Sequence, residues 1–369
     1  CVRYGEIYTT YGIWFDVCQS HTDESLITSK KYFEHGDILF AITGENIEDI
    51  AKCSAYLGNE RCLAGGDIVV LRHNQNPKYL SYALSTADAK RQKSKGKVKS
   101  KVVHSSIPAI KEILIPIPPL EVQREIVRIL DTFTALTDEL TEKLDVELTA
   151  RKKQFEYYRN ELLKQYDVSS MVDLRSVVKK SCSGATPSKG RSEYYENGNI
   201  PWLRTQDVRF NEIYEINSFI TEYAVQNTAA KWIPENCVIV AISGASAGRC
   251  AINKIRTTTN QHCLNLEIDE SKAMYKYVYY CVANQYEELL SRKQGARGDL
   301  NSSLILSIKI PLPPLDDQRR IVSILDRFDA LCNDLTSGLP AEIEARRKQY
   351  EYYRDKLLSF PPAEKGEES

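Results

Sequence analysis

Ten cysteines and five histidines have the widest chemical range in this 369-residue chain, and their spacing narrows what they can do. No two cysteines form a C-x-x-C pair, so zinc-ligand spacing and a thioredoxin-like redox motif are both absent. Most sit among apolar residues, as in "ENCVIVAI" at 235–242. They read as reduced thiols packed as small hydrophobes in a cytoplasmic protein. His21, His35, His73, His104 and His262 show no metal-ligand spacing and read as structural or surface residues. No G-x-x-x-x-G-K-[ST] phosphate loop is present, which argues against an ATP motor, and no glycine-rich cofactor loop follows a strand. No metal and no cofactor are expected. What remains are groups that bind rather than break bonds. They lie in "LRTQDV" at 203–208, "SGASAGR" at 243–249, "KRQKSKGKVKSK" at 90–101 and "SRKQGARG" at 291–298.

The elements that must position these groups announce themselves through charge and repetition. Net charge is -1, but it is unevenly spread. Residues 1–114 carry +2 and 172–309 carry +3, whereas 115–171 and 310–369 carry -3 each. Any contact with a polyanion is therefore expected from the first and third blocks. No apolar run approaches the ~20 residues that span a bilayer.

The two acidic segments are copies of one another. Residues 115–165 and 310–360 align without gaps and share 29 of 51 identities. Each opens on P-x-P-P-L, a stiff extended lead into a helix with acidic residues in the first turn. In the first copy Ile126, Ile129, Phe133, Leu136, Leu140 and Leu144 recur at helical spacing, continued by Leu148, Phe155, Tyr158 and Leu162. This is a coiled-coil-like stripe with a phase shift near Leu144 to Leu148. The second copy repeats it with Ile321, Ile324, Phe328, Leu331 and Leu335, and "SGLP" at 337–340 should kink or split that helix. About 40 helical residues make a rod of roughly 60 Å. The simplest partner for one stripe is the other copy, packed antiparallel about a pseudo-twofold axis.

The intervening blocks differ in sequence yet share landmarks. "VRYGEI" at 2–7 resembles "LRTQDV", which sets Arg3 against Arg204 and Glu6 against Asp207. "GDILFAITG" at 36–44 resembles "NCVIVAISG" at 236–244, and "RCL" at 61–63 is paired with "HCL" at 262–264. A Tyr-rich helix and a basic run follow in each. Both blocks read as one α+β domain with diverged surfaces. Roughly 30 residues, Val172 to Trp202, have no counterpart in the first block, which starts at Cys1 and so reads as truncated at its N-terminus.

Two copies of P-P-L-x-x-Q-x-x-I-V-x-I-L-D-x-F, each following a variable block and continuing into R-[KR]-K-Q-[FY]-E-Y-Y-R, resemble the specificity (S) subunit of Type I restriction–modification enzymes. The resemblance covers essentially the whole chain. It implies two α+β target recognition domains joined by two long antiparallel coiled-coil-like helices, with a pseudo-twofold internal repeat. The boundaries are 1–114 for the first domain, 115–171 for the central repeated helix, 172–309 for the second domain, and 310–369 for the C-terminal repeated helix with a disordered acidic tail. It further implies that each domain reads half of a bipartite, asymmetric site in double-stranded DNA. The helices set the spacing and dock two methyltransferase (M) subunits, and restriction (R) subunits join that core. No Asn-Pro-Pro-[Tyr/Phe] of an adenine methyltransferase is present, so the chain is expected to be non-catalytic.

On this reading base edges are met by Arg, Lys, Asn and Gln, and phosphates by cations. In the second block the candidates are Arg204, Gln206 and Asp207, then Ser243, Ser246 and Arg249, then Arg292, Lys293, Gln294 and Arg297. A plain β-turn would equally explain the glycines of "SGASAGR". In the first block they are Arg3, Tyr4 and Glu6, with Lys93, Lys95, Lys97, Lys99 and Lys101 as a phosphate-neutralising loop. Subunit contacts are expected at Gln123, Ile126, Ile129 and Phe133, and at Gln318, Ile321, Ile324 and Phe328. Two other readings remain open. One is a specificity subunit of a Type IIB-like or stand-alone bipartite methyltransferase, and the other is a protein scaffold that binds no DNA.

Overall fold

In the computed structural model the chain divides into two compact units, 1–146 with 341–369, and 147–340. The structure describes residues 1–93, 97–99, 102–166, 170–292, 299–334 and 337–360, with only the backbone given at 97–99 and 102. The tail at 361–369 lies outside the described residues.

The first repeated segment is one continuous helix of 45 residues, Leu120–Lys164 (α1), about 68 Å at 1.5 Å per residue. The second is split into Leu315–Asn333 (α2) and Leu339–Leu357 (α3). The break falls at "SGLP", as expected. A Cβ on Gly338 would lie 2.6 Å from the Ala330 carbonyl oxygen and 2.7 Å from that of Asp334, so only glycine fits there. Residues of α1 up to Val146 belong to the first unit with α3, and those from Glu147 onward to the second with α2.

Within each unit the paired helices run antiparallel. In the first, the Thr134 hydroxyl meets that of Tyr350 at 2.8 Å, and Ile126, Val127 and Leu130 share a core with Leu358. In the second, the Tyr158 ring stacks on Phe328 with centroids 5.5 Å apart, and Leu163 packs with Ile321 and Leu325.

Both blocks are built on the same sheet. In the first unit the strand order is Trp14–Phe15, Cys53–Tyr56, Ile38–Ala41, Ile68–Leu71. In the second it is Glu212–Ile213, Cys250–Asn253, Val238–Ala241, Cys263–Ile268, Val178–Ser183. The central strands Ile38–Ala41 and Val238–Ala241 are wholly buried runs of Ile, Leu, Val, Phe and Ala, as a strand covered on both faces requires. Their registers correct one landmark. Ala41 pairs with Ile68 and Ala241 with Cys263, so Ile68, not Cys62, stands where the strand at Cys263 begins. "RCL" instead pairs with Tyr32–Phe33, as Thr257–Thr259 pairs with Trp232–Ile233.

A duplicated polar latch ties each block to its helix. Gln123 is fully buried; its Oε1 accepts the Asn76 N–H at 3.0 Å and its Nε2 donates to the Pro118 carbonyl at 2.7 Å. Gln318, also fully buried, accepts the Met274 N–H at 2.9 Å and donates to Pro313 at 2.8 Å. Two turns further on, Asp131 receives Lys78 at 2.7 Å and the Tyr82 hydroxyl at 2.9 Å. Asp326 receives Lys276 at 2.8 Å and Tyr280 at 2.6 Å. Tyr79 and Tyr277 donate to the carbonyls of Pro116 and Pro311 at 2.9 and 3.1 Å. The short helices therefore carry a K-Y-x-x-Y pattern whose polar tips all meet the proline lead and first turns of α1 or α2. Burial, foremost, pushes the Tyr82 and Tyr280 phenols well up, so both stay protonated donors.

Gln318→Leu strands the Met274 N–H and the Pro313 carbonyl in a site closed to water. The expected loss is about 1–3 kcal/mol of stability, read as a lower melting temperature. An unchanged melting temperature would contradict the latch.

Candidate nucleic-acid interface

One end of each sheet gathers the segments that carry the candidate residues, and a single backbone residue organises it. In the second unit the Ile242 N–H donates to the His262 carbonyl at 2.9 Å, and the Ile242 carbonyl accepts the Leu300 N–H at 2.8 Å. In the first unit the Ile42 N–H donates to Asp67 at 3.0 Å, and Ile42 accepts the Ser105 N–H at 2.8 Å. Three turns thus converge in each: the one after the central strand, the one before the strand at Ile68 or Cys263, and the segment that follows the basic run.

The fourth turn follows Val2 or Leu203. Val2 bridges Ala64 in parallel, as Leu203 pairs with Thr259. Arg3 and Arg204 come next, and here the expected equivalence holds in detail. The Glu6 carboxylate accepts the Arg3 N–H at 2.9 Å, and that of Asp207 accepts the Arg204 N–H at 2.8 Å. Each carboxylate caps its own turn. That corrects the expectation for Glu6: it is buried, also receives the Ser20 hydroxyl and pairs with the Arg3 guanidinium, so its carboxylate serves local structure, whereas Asp207 is half-buried. Arg3 and Tyr4 are exposed. Arg204 is half-buried, its Cζ 5.9 Å from the Trp202 ring centroid and its Nε buried without a partner. Gln206 is exposed.

In "SGASAGR" the glycines answer to backbone geometry. Gly244 and Gly248 take φ of +72° and +90°, values that other residues rarely adopt. Ser243, Ser246 and Arg249 are half-buried around that turn, and Arg249 has no carboxylate partner among the described residues. Arg292 is exposed and paired with Glu288. Lys293, Gln294 and Arg297, like Lys95 and Lys101, lie outside the described residues. Lys97 and Lys99 fall on a short strand paired with Val102–His104. Lys93 is a correction: it is 6% exposed, and its ammonium donates to the Leu84 carbonyl at 2.7 Å, so it serves the interior.

The expected subunit contacts divide in the same way. Gln123, Ile126, Gln318 and Ile321 are buried against the chain's own blocks, and a side chain without free surface cannot dock a partner. Ile129 and Ile324 are half-buried. Phe328 is half-buried under Tyr158. Phe133 is 46% exposed and, with Leu136, Leu140 and Tyr353, lines an apolar groove of about 220 Å³ between α1 and α3.

Sequence reading missed the turn Asn260–His262. With Arg204, Trp202 and Lys189 it lines an open cavity of about 560 Å³. The signal was "NQH" at 260–262, directly before the strand that starts at Cys263, hidden by aligning "HCL" with "RCL". Among the described residues no cluster of His, Cys, Asp and Glu could hold a metal ion, the cysteines are free thiols, and no helix is long and apolar enough to cross a membrane.

Residues 9–150 and 167–345 match the family described as the Type I restriction modification DNA specificity domain. The chain is 40% identical over 265 residues to the Type I restriction enzyme EcoR124I/EcoR124II specificity subunit of Escherichia coli, covering 69% of this chain and 64% of that protein. It is 34% identical over 276 residues to a putative type I restriction enzyme specificity subunit of Haemophilus influenzae, covering 72% and 68%. The matched region thus spans about two-thirds of the length of these relatives. Among solved structures, a chain from a study of complex assembly and conformational transition in a type I R-M system has a TM-score of 0.67 at 18% identity, covering 90% of this chain and 84% of that one. The HsdS subunit from Thermoanaerobacter tengcongensis has a TM-score of 0.50 at 17% identity, covering 88% and 80%. At these identities the likeness concerns the fold.

Glu6 offers a test of its capping role. Burial pushes its carboxyl up, but the Ser20 hydroxyl, the Arg3 N–H and the Arg3 guanidinium together hold it below its ordinary value of 4.5. A depressed folded value means that its stabilisation is complete above the ordinary value and is lost as pH falls through the lower folded one. Glu6→Gln should therefore flatten the fall in melting temperature between about pH 5 and pH 3. An unaltered slope would contradict the cap.

Proposed function

The chain belongs to the Type I restriction modification DNA specificity domain family, and from that premise we propose that it is the DNA-recognition subunit of a Type I restriction–modification complex. It reads a bipartite, asymmetric site in double-stranded DNA, one half per unit. It holds two methyltransferase (M) subunits and, through that core, restriction (R) subunits. It carries out no chemistry itself.

One observation supports this reading above the others. Both units share a backbone hydrogen-bond frame around Ile42 and Ile242, yet set different side chains on the turns that the frame presents. Equal frames with unequal surfaces are what two readers of unlike half-sites need. Direct base readout depends on side-chain identity, while phosphate contact needs only placed cations. The apolar groove at Phe133 suits the docking of a partner helix or loop, because exposed contiguous apolar surface marks interaction sites. The near-zero net charge implies weak phosphate binding by the chain alone, so specific DNA binding is expected only with M subunits.

The deciding experiment is co-expression with M subunits followed by mapping of methylated bases. A single motif of two unlike halves separated by a fixed gap supports the reading, and a contiguous motif contradicts it. The continuous helix α1 would set that gap. Four residues inserted near Thr149 add one turn, about 6 Å, and should widen the gap by roughly one to two base pairs at about 3.4 Å each, with both halves unchanged. An unchanged gap would remove α1 as the spacer. Phe133→Asp should keep the melting temperature but lower co-purification of M subunits at least tenfold. Phe328→Asp, which breaks the stack on Tyr158, should lower the melting temperature instead. Normal assembly by Phe133→Asp would exclude the groove as the docking surface.

A further inference from the structure

We propose that the Asn260–His262 turn, together with Arg204, is the base-edge reader that sets the half-site of the second unit; this rests on the DNA-recognition reading above. The argument begins with a comparison of the two units at the same turn. In the first, the Gly65 N–H donates to the Val2 carbonyl at 2.9 Å, the Ile68 N–H to Gly65 at 3.3 Å, and the Ile42 N–H to Asp67 at 3.0 Å. In the second, the Asn260 N–H donates to Leu203 at 3.0 Å, the Cys263 N–H to Asn260 at 3.3 Å, and the Ile242 N–H to His262 at 2.9 Å. The backbone skeleton is the same, and only the side chains differ: Gly-Gly-Asp in one, Asn-Gln-His in the other.

The chemistry of that difference is specific. Gly65 and Gly66 bring no side-chain donor. Gln261 and His262 are exposed on the turn and hold their polar atoms in place. The Thr186 hydroxyl donates to Gln261 Oε1, and Gln261 Nε2 lies 3.1 Å from His262 Nε2. The buried Asn260 fixes the turn itself, its Oδ1 accepting the His262 N–H at 3.1 Å. Arg204 lines the same cavity with an unpartnered buried Nε. A carboxamide is suited to the N6/N7 edge of adenine and a guanidinium to the O6/N7 edge of guanine. Since Arg3 occupies the equivalent place in the first unit, Arg204 is the shared element, and Gln261 with His262 the element peculiar to the second half-site.

The test uses the assembled complex of full-length chain and M subunits. Methylated bases are mapped for Gln261→Ala with His262→Ala, and for a graft in which 260–262 become Gly-Gly-Asp. One half of the motif should lose about ten- to hundredfold discrimination at one or two positions, with the other half and the gap unchanged. Both halves unchanged in both variants, or both halves altered, overturns the proposal while leaving the recognition role intact. Failure of the unmodified complex to methylate a two-part motif would instead remove the reading beneath it. The melting temperature and M-subunit co-purification of each variant are measured alongside. If a variant fails to assemble, Gln261→Glu decides, since exchanging a donor for an acceptor at an exposed position must change the preferred base; an unaltered preference overturns the proposal.

Discussion

The buried glutamine at the head of each repeated helix is the interaction on which the rest of this structure depends. Gln123 and Gln318 each join a proline-bearing lead, the first turns of a helix and the backbone before a Tyr-rich helix, with no access to water. A carboxamide that is both donor and acceptor can satisfy a backbone N–H and a carbonyl at once, which an apolar side chain of the same size cannot. Eight residues on, Asp131 or Asp326 closes the contact with a lysine and a tyrosine from the same short helix. The block is thereby fixed in both position and rotation on the helix, because the two anchor points lie about two turns apart.

That fixing gives the variable surface its meaning. A turn can read a base edge only if it is presented in a defined place, and in both units the frame around Ile42 or Ile242 places corresponding turns alike. Identity between copies is concentrated in the latch and helices, whereas the blocks, their turns included, differ. Glu6 and Asp207 illustrate the division: both are local caps, retained as carboxylates where Tyr4 and Thr205 beside Arg3 and Arg204 are free to differ.

Much of this architecture was legible in the sequence because repetition carries information that a single copy does not. The repeated helices, the break at "SGLP", the paired Arg3 and Arg204, and the buried central strands all follow from period, proline chemistry and apolar runs. The subunit-contact set was only partly legible. Gln123 and Gln318 stand in a polar helix turn and look like surface residues, and nothing local reveals that the next block closes over them. Lys93 sits in a basic run that reads as a phosphate-neutralising loop, yet its stem is covered and its ammonium meets the Leu84 carbonyl. The Asn260–His262 turn was missed because strand register depends on pairing, and "RCL" matched "HCL" by residue type while pairing with a different strand.

The central claim is that two equally framed sheet ends, one per unit, meet DNA through their turns while the latches hold the frames unchanged. Hydrogen–deuterium exchange on the complex assembled with M subunits, with and without duplex carrying its methylation site, tests this most directly. The account predicts slowed exchange at 42–49 and 65–67 in the first unit and at 242–249 and 260–262 in the second, with exchange at Asn76 and Met274 unaltered. Protection confined to the helices, or to one unit alone, would contradict it.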